Sequence, residues 1–262
     1  MRLLVLFLAL CCSGAEYGPG KGALVIIGGG AIGPDIWKRF MELAGGPDAP
    51  VVFVPTAGDK EPTEKTGEVL RKAGFKDITV LHTRDKKLAD TDAFVAPLKR
   101  AKAVFFEGGR QWRIVDSYEG TKTEKEFAEV LARGGVIGGT SAGATIQGSY
   151  LVRGARSGNE IMMAPGYERG FGYFRNVAID QHLLTRKRED DLWQVIDKYP
   201  KLLGIGLDEA TAIVVIGDEF TVLGPSKVAI YDHSRSAAAG EKRHYWLQAG
   251  DRFDIKSRKK LN

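Results

Sequence analysis

Val136-Ile137-Gly138-Gly139-Thr140-Ser141-Ala142-Gly143-Ala144 is the stretch that decides the architecture. The apolar pair Val136-Ile137 reads as a strand, and a helix is expected to begin near Ala142. Between them lies G-x-S-x-G, from Gly139 to Gly143, with Ser141 at its centre. A strand that turns sharply into a helix lifts its central side chain clear of the sheet. Such a turn is strained and crowded, so glycines flank it. The turn presents the Ser141 hydroxyl as a nucleophile and aims the Ala142 N–H at the place where an oxyanion would form. Alone, the pentapeptide is equally a plain glycine-rich junction; its neighbours separate the two readings.

Upstream, Ala23 to Ile27, Val51 to Val54, Ile78 to Leu81 and Ala103 to Phe106 are short apolar, β-branched or aromatic runs. Helices are expected between them, from Asp35 to Ala44, Thr63 to Ala73 and Thr91 to Arg100. This alternation predicts an α/β fold with a mostly parallel sheet covered on both faces. Loops at the carboxyl ends of such strands form the site crevice. Glu107-Gly108-Gly109-Arg110-Gln111 is one of them, and a glycine N–H there, that of Gly109, is a candidate second oxyanion donor; a plain β-to-α turn is the alternative. Gly28-Gly29-Gly30-Ala31-Ile32-Gly33 fits G-x-G-x-x-G, but Pro34 starts the helix where a dinucleotide fingerprint wants close packing. The next strand ends in Pro55-Thr56-Ala57-Gly58 and supplies no acid for a ribose. A tight functional loop is expected instead.

Downstream, an irregular stretch from Ser157 to Gly172 precedes a strand near Asn176 to Ile179, which delivers Asp180-Gln181-His182. Of the four histidines, His182 alone follows an apolar strand through a polar pair, Asp180-Gln181. Arg186 and Arg188 are expected to open a helix reaching about Asp197, where two guanidinium groups suit a carboxylate-bearing substrate. The solvated-face alternative rests on the adjacent Glu189-Asp190-Asp191. Leu203 to Leu207 is a further buried strand ending in Asp208-Glu209, and an acid at that position can orient a histidine. Short runs from Ile213 to Leu247 read as an antiparallel C-terminal extension of the sheet. With no repeat or linker, residues 16–262 are expected to form a single domain.

Hydrophobic residues make up 44% of the 262, charged residues 27%, and the net charge is +5. That is a globular composition. Part of the charge lies in Lys256, Arg258, Lys259 and Lys260, read as a solvated tail, and no basic face with interleaved aromatics speaks for nucleic acid. Met1-Arg2, the apolar run Leu3 to Leu10 and the small residues Ser13-Gly14-Ala15 read as a signal peptide over residues 1–15, too short to span a bilayer. An exported protein, periplasmic or extracellular, is expected; Leu8-Ala9-Leu10-Cys11 offers lipoprotein anchoring as the lesser alternative. Both cysteines, Cys11 and Cys12, lie in the leader, which leaves no thiol chemistry to the mature chain.

The order serine, histidine, acid fits an ordinary α/β-hydrolase poorly, because there the acid precedes the histidine. Together with G-G-T-S-A-G-A, D-Q-H and G-x-D-E-A-T-A, it resembles cyanophycinase and its relatives in the serine peptidase family that also contains peptidase E, an aspartyl dipeptidase. The resemblance runs roughly from Ala23 to Tyr231. It implies a flavodoxin-like or glutaminase-like sandwich, Ser141 as nucleophile, His182 as general base and Glu209 as its orienting acid. It further implies substrate contacts from Gln111 and Arg113, matching G-G-D-Q-x-R, and from Asp180, Gln181, Arg186 and Arg188, matching D-Q-H-x-x-x-R-x-R. Two positions depart from the pattern. Arg110 stands where the family carries Asp, and Asp191 stands where a third arginine normally follows the pair.

The implied substrate is cyanophycin, an aspartate backbone with arginine on each side chain, or a related β-aspartyl peptide. An aspartyl or isoaspartyl dipeptidase is the second reading, and a secreted binding protein of the same fold the third. Neither metal nor cofactor is expected, since no metal-ligand spacing is present. The expected partners are a peptide or polymer substrate and, at most, a second copy of the chain in a homodimer. Neither nucleic acid nor, beyond export, a membrane is expected.

Overall fold

The computed structural model describes residues 15–236 and 242–261; the expected leader, Ala15 apart, lies outside the described residues. The first half runs β1 (Ala23–Ile27), α1 (Pro34–Ala44), β2 (Val51–Val54), α2 (Glu68–Ala73), β3 (Ile78–Val80), α3 (Lys86–Ala89), α4 (Asp92–Arg100), β4 (Ala103–Phe106), α5 (Gln111–Tyr118) and α6 (Lys122–Ala132). Next come β5 (Val136–Thr140), α7 (Ala142–Thr145), β6 (Gly148–Tyr150), β7 (Phe174–Gln181), α8 (Trp193–Lys198) and β8 (Leu203–Leu207). The C-terminal part is β9 (Ala212–Ile216), β10 (Glu219–Leu223), β11 (Lys227–Asp232), β12 (Tyr245–Gln248), β13 (Arg252–Asp254) and β14 (Lys259–Leu261).

Nine strands form the larger sheet, in the order β14-β13-β10-β9-β1-β5-β4-β2-β3. From β1 to β3 every pair is parallel, and from β1 to β14 every pair is antiparallel. The all-apolar β1 and β2 are buried at every residue, as strands covered on both faces must be. On one face Trp37 and Phe40 of α1 pack edge-to-face or tilted on Phe105 of β4. The opposite face is shared by α4 to α6 and a second sheet.

That second sheet corrects the expectation of a single one. Its order is β12-β11-β8-β7-β6. Val177, Ile179, Leu203, Ile205 and Leu207 point towards the first sheet, while Ala178 and Tyr231 point towards Trp193 and Ile196 of α8. Alternation of period two therefore serves two cores. A strand buried on both faces reads the same whichever sheet it joins, so the run alone never said which.

Three further expectations change. The helix drawn from Thr63 begins only at Glu68, because Gly67 before it adopts φ +83°. The helix drawn from Arg186 to Asp197 begins only at Trp193; Lys187, at φ +54°, interrupts it, and Arg188 turns inward. The basic C-terminus is an edge hairpin rather than a tail, with Arg258 on Asp232 at 2.6 Å and Lys260 on Asp251 at 2.8 Å.

Candidate active site

Ser141 sits between β5 and the four-residue α7 with φ +54° and ψ −112°, a conformation that a non-glycine residue holds only when its surroundings impose it. Its N–H donates to the Ile27 carbonyl, and its own carbonyl accepts from Ala144 and Thr145. The flanking glycines are required by contact. A Cβ on Gly143 would lie 2.2 Å from the Phe106 carbonyl oxygen, and one on Gly139 would lie 2.1 Å from that of Gly143.

The second sheet brings the partners. His182 follows β7 and Glu209 follows β8, and these two strands are parallel neighbours. His182 Nε2 lies 2.9 Å from Ser141 Oγ, and His182 Nδ1 lies 2.5 Å from Glu209 Oε1. The hydroxyl donates to Nε2 when Nδ1–H donates to the carboxylate, which fixes the tautomer. Burial holds the His182 pKa below its ordinary value; Glu209 opposes that shift and Arg186 adds to it. The ring is therefore neutral at neutral pH and able to take a proton.

The glycine run after β1 is the bed on which this pair rests. The His182 N–H donates to Gly28 O and the Ala210 N–H to Gly29 O. A Cβ on Gly29 would lie 2.2 Å from His182 Cε1, and one on Gly30 would lie 2.7 Å from Glu209 Oε2. The sequence signalled a tight loop here but not what it touches. Asp208, the other acid, turns away. It accepts from Leu184 N, Thr185 N and Thr185 Oγ1 at 3.0 Å each, and from Ser226 Oγ at 2.6 Å. Burial opposes its ionisation, but these hydrogen bonds hold its pKa below the usual carboxylate value.

Gly108 closes the other side of the nucleophile, where an added Cβ would lie 3.2 Å from Ser141 Cβ. Neither the Gly109 N–H nor the Ala142 N–H has an acceptor among the described residues. Gly109 directly follows Gly108 and Ala142 directly follows Ser141, so both N–H groups are candidates for an oxyanion site.

A sequence profile described as peptidase family S51 matches residues 24–223. The chain belongs to peptidase family S51. Among its relatives are the cyanophycinases of Geminocystis herdmanii, 30% identical over 90% of this chain and 95% of that one, and of a Nostoc species, 30% identical over 91% and 87%. The fold matches a crystal structure of a peptidase from an acI-B1 actinobacterium, with a TM-score of 0.67, 23% identity and coverage of 89% of this chain and 97% of that one. As an S51 member the chain is a serine-type peptidase with an α/β fold.

Around Ser141, the remaining residues singled out in the sequence fall into two groups. Gln111, the first residue of α5, is buried, with no partner for its Nε2 among the described residues. Arg113 donates to Ala57 O at 3.1 Å and stacks on Trp112, while Arg110 is drawn to Ala155 O at 2.6 Å. Asp180 is fully buried and held by both Nε and Nη2 of Arg153 at 2.7 and 2.8 Å, which leaves it no surface for a substrate. Arg188 is 2% exposed; it donates to Gln181 Oε1 and pairs with Glu160. Arg186 is exposed.

Asp191, expected beside those arginines on one helix, instead accepts from Arg153 Nη2 at 2.8 Å. Burial works against the Arg153 charge, but the carboxylates of Asp180 and Asp191 override it and raise the pKa. Sequence reasoning missed Arg153. Its only signal was a lone arginine inside the run Tyr150-Leu151-Val152-Arg153-Gly154.

Proposed function

We propose that this S51 peptidase is exported and hydrolyses cyanophycin or related β-aspartyl peptides through an acyl-enzyme on Ser141. The reading is carried by the hydrogen-bonded succession Ser141–His182–Glu209, and it is supported by the N–H groups of Gly109 and Ala142, which have no acceptor among the described residues. Ser141 Oγ attacks the amide carbonyl carbon while His182 Nε2 takes its proton, and Glu209 holds the resulting imidazolium. The oxyanion is stabilised by the two backbone donors. As the tetrahedral intermediate collapses, the C–N bond breaks and His182 passes the proton to the leaving amine. Water then attacks the ester carbonyl as His182 takes its proton; the C–Oγ bond breaks, His182 returns the proton to Ser141 Oγ, and the acid product leaves.

The relatives named cyanophycinase support this substrate class. Export is the part of the proposal that rests on the leader-like residues 1–15. A second reading, a dipeptidase taking one aspartyl or isoaspartyl unit, is favoured by one observation. Arg188 is committed to Glu160, and the third arginine is replaced by an Asp191 committed to Arg153, so Arg186 is the one arginine of that set with no carboxylate partner among the described residues.

The test is to incubate purified protein with cyanophycin and with Asp-X and isoAsp-X dipeptides, alongside a serine-reactive fluorophosphonate. Release of dipeptides from the polymer is expected, with labelling that disappears in Ser141→Ala. Cleavage of the dipeptides alone would replace the first reading by the second, and absence of labelling would sink both.

A further inference from the structure

Residues 15–18, which precede β1, are clamped between the two sheets. Asp218, in the turn from β9 to β10 of the larger sheet, accepts from the backbone N–H groups of Glu16 at 3.0 Å, Tyr17 at 2.7 Å and Gly18 at 3.2 Å. Arg175, in β7 of the second sheet, takes the carbonyls of the same stretch. Its Nε donates to Glu16 O at 2.7 Å, and its Nη2 to Ala15 O and Gly18 O at 2.6 Å each. The Arg175 N–H adds a bond of 2.7 Å to Tyr17 O. Tyr17 packs against the interlayer core, and a Cβ on Gly18 would collide with the Gly217 carbonyl. A chain end is ordinarily loose unless something ties it down, and here one carboxylate and one guanidinium do so.

The clamp is electrically incomplete. Every hydrogen bond to the Asp218 carboxylate comes from an uncharged N–H, and no cationic side chain lies within ion-pair distance of it among the described residues. Burial opposes its ionisation, yet those N–H groups and the charge of Arg175 hold its pKa below the usual carboxylate value. Lys256 lies 3.5 Å from the Glu16 carboxylate instead. The atom best placed to complete the clamp is the Glu16 nitrogen, already 3.0 Å from Asp218 Oδ2. As an amide it offers a single neutral donor; as an α-ammonium it would bring a full charge to the same contact. Ala15, just before it, ends the small-x-small run Ser13-Gly14-Ala15 at which an export peptidase cuts.

We propose that Asp218 and Arg175 form a receptacle for the N-terminus of the mature chain, created by hydrolysis of the Ala15–Glu16 amide, with the Glu16 α-ammonium ion-paired to Asp218. The inference rests on the export reading above for the cut itself and is independent of the substrate. A leader peptidase catalyses the step and water is the co-reactant. The C–N bond breaks, the water oxygen goes to Ala15 as part of a carboxylate, and both water hydrogens go to the Glu16 nitrogen, which becomes the ammonium. Of the side-chain bonds described, cleavage removes only that from Arg175 to Ala15; those to Glu16 and Gly18 remain.

The test has two arms. The full chain is produced in a host with a periplasm, and the intact mass of the exported protein is measured; a start at Glu16 is expected. Separately, chains starting at Glu16 and at Ala15 are released from a cleavable fusion, each with Asp218 and with Asp218→Asn, and melted. The Ala15 start keeps the Glu16 N–H but moves the ammonium one residue away. The Glu16 start should melt higher by on the order of 2–4 °C, and Asp218→Asn should erase that difference. A general loss of stability in Asp218→Asn cancels, because the readout compares two starts. Should Asp218→Asn not fold, the pH dependence with Asp218 in place decides. Pairing raises the α-amine above its ordinary pKa of ~7.7–8.0, so the advantage is full below that range and fades as pH rises through the raised value. Arg175, Lys256 and the Glu16 side chain also face the site, but they are common to both starts and drop out of the comparison. Export with the cut at another bond, a lipidated start at Cys11 included, would overturn the proposal and leave export standing. So would equal melting of the two starts, an advantage that survives Asp218→Asn, or one that is independent of pH. Retention of the unprocessed chain in the cytoplasm would overturn export and the proposal together.

Discussion

Gly29→Ala is a perturbation whose size follows from the contacts of a single methyl group. Its Cβ would lie 2.2 Å from Cε1, 2.6 Å from Nδ1 and 2.8 Å from Nε2 of His182. Carbon atoms in contact sit ~3.5–4.0 Å apart, so the imidazole must withdraw by about 1.3 Å or the loop must move as far. The Ser141 Oγ to Nε2 distance is 2.9 Å, and a retreat of that size takes it past the range of a hydrogen bond. A misplacement of about 1 Å is worth roughly 10²-fold in rate, and complete loss of a general base ~10²–10⁴-fold. The second-order rate of Ser141 labelling by a fluorophosphonate should therefore fall by about 10²–10⁴-fold. Gly29 also holds φ +126°, so alanine there is strained by about 1–3 kcal/mol. At ~2–4 °C per kcal/mol for a chain of this size, a lower but cooperative melting transition should accompany the loss. Gly30→Ala meets the Glu209 side chain instead and should be milder, since the serine–histidine bond is untouched. Labelling by folded Gly29→Ala within about threefold of wild type would refute the idea that the glycine bed sets the position of the base.

Ser141→Ala should lower turnover by on the order of 10³-fold or more while the melting temperature holds, measured by peptide hydrolysis and calorimetry. Glu209→Gln should depress kcat with little change in KM, whereas Asp208→Asn should act on stability, because Asp208 ties down the segment after His182; the reverse pattern would mean that the wrong acid has been assigned. His182 must be neutral to act, and its pKa lies below the ordinary value of about 6.5, so kcat/KM should fall only as pH drops below the usual histidine range. Arg186→Gln removes a positive charge that depresses this pKa, and should shift the acid limb upward as well as raise KM for carboxylate-bearing substrates. Asp191→Arg, which restores the family pattern, sets a cation against the buried Arg153 and should destabilise by about 1–3 kcal/mol, read as a drop in melting temperature; an unchanged transition would mean that the Arg153 contact contributes nothing.

The elbow was legible because it is local. Crowding at Ser141 demands glycines within two residues, and those glycines stand in the sequence as G-x-S-x-G. The parallel half of the fold was legible for a similar reason, since β1, β2 and β4 are unbroken apolar runs separated by helix-length spacings. What escaped depends on long-range contact. Nothing near Asp191 in the chain announces Arg153, which lies 38 positions away, and nothing in Gly28-Gly29-Gly30 announces the imidazole that fills the space above it. The placement of Arg188 escaped for the opposite reason. The charged run Arg186 to Asp191 reads as a solvated helix face, whereas a left-handed Lys187 turns the next side chain inward. Of the two acids after β8, residue type alone left the choice open, and the turn through Ala210 at φ +55° is what aims Glu209 at the ring.

Ser141 follows a strand of one sheet, while His182 and Glu209 follow strands of another, so the 2.9 Å bond between nucleophile and base spans two separately wound layers, beside the backbone bonds that tie His182 and Ala210 to the glycine loop. Its length is then a vernier on the spacing between them. The interlayer filling of Ile179, Ile205, Leu207, Ile26 and Ile146 sets that spacing, and none of these side chains needs to touch a substrate to govern the rate. A trimmed or overgrown core residue slides one layer against the other, and the nucleophile loses its base while the base keeps its acid. In this architecture the rate constant is a more sensitive gauge of core geometry than the melting temperature.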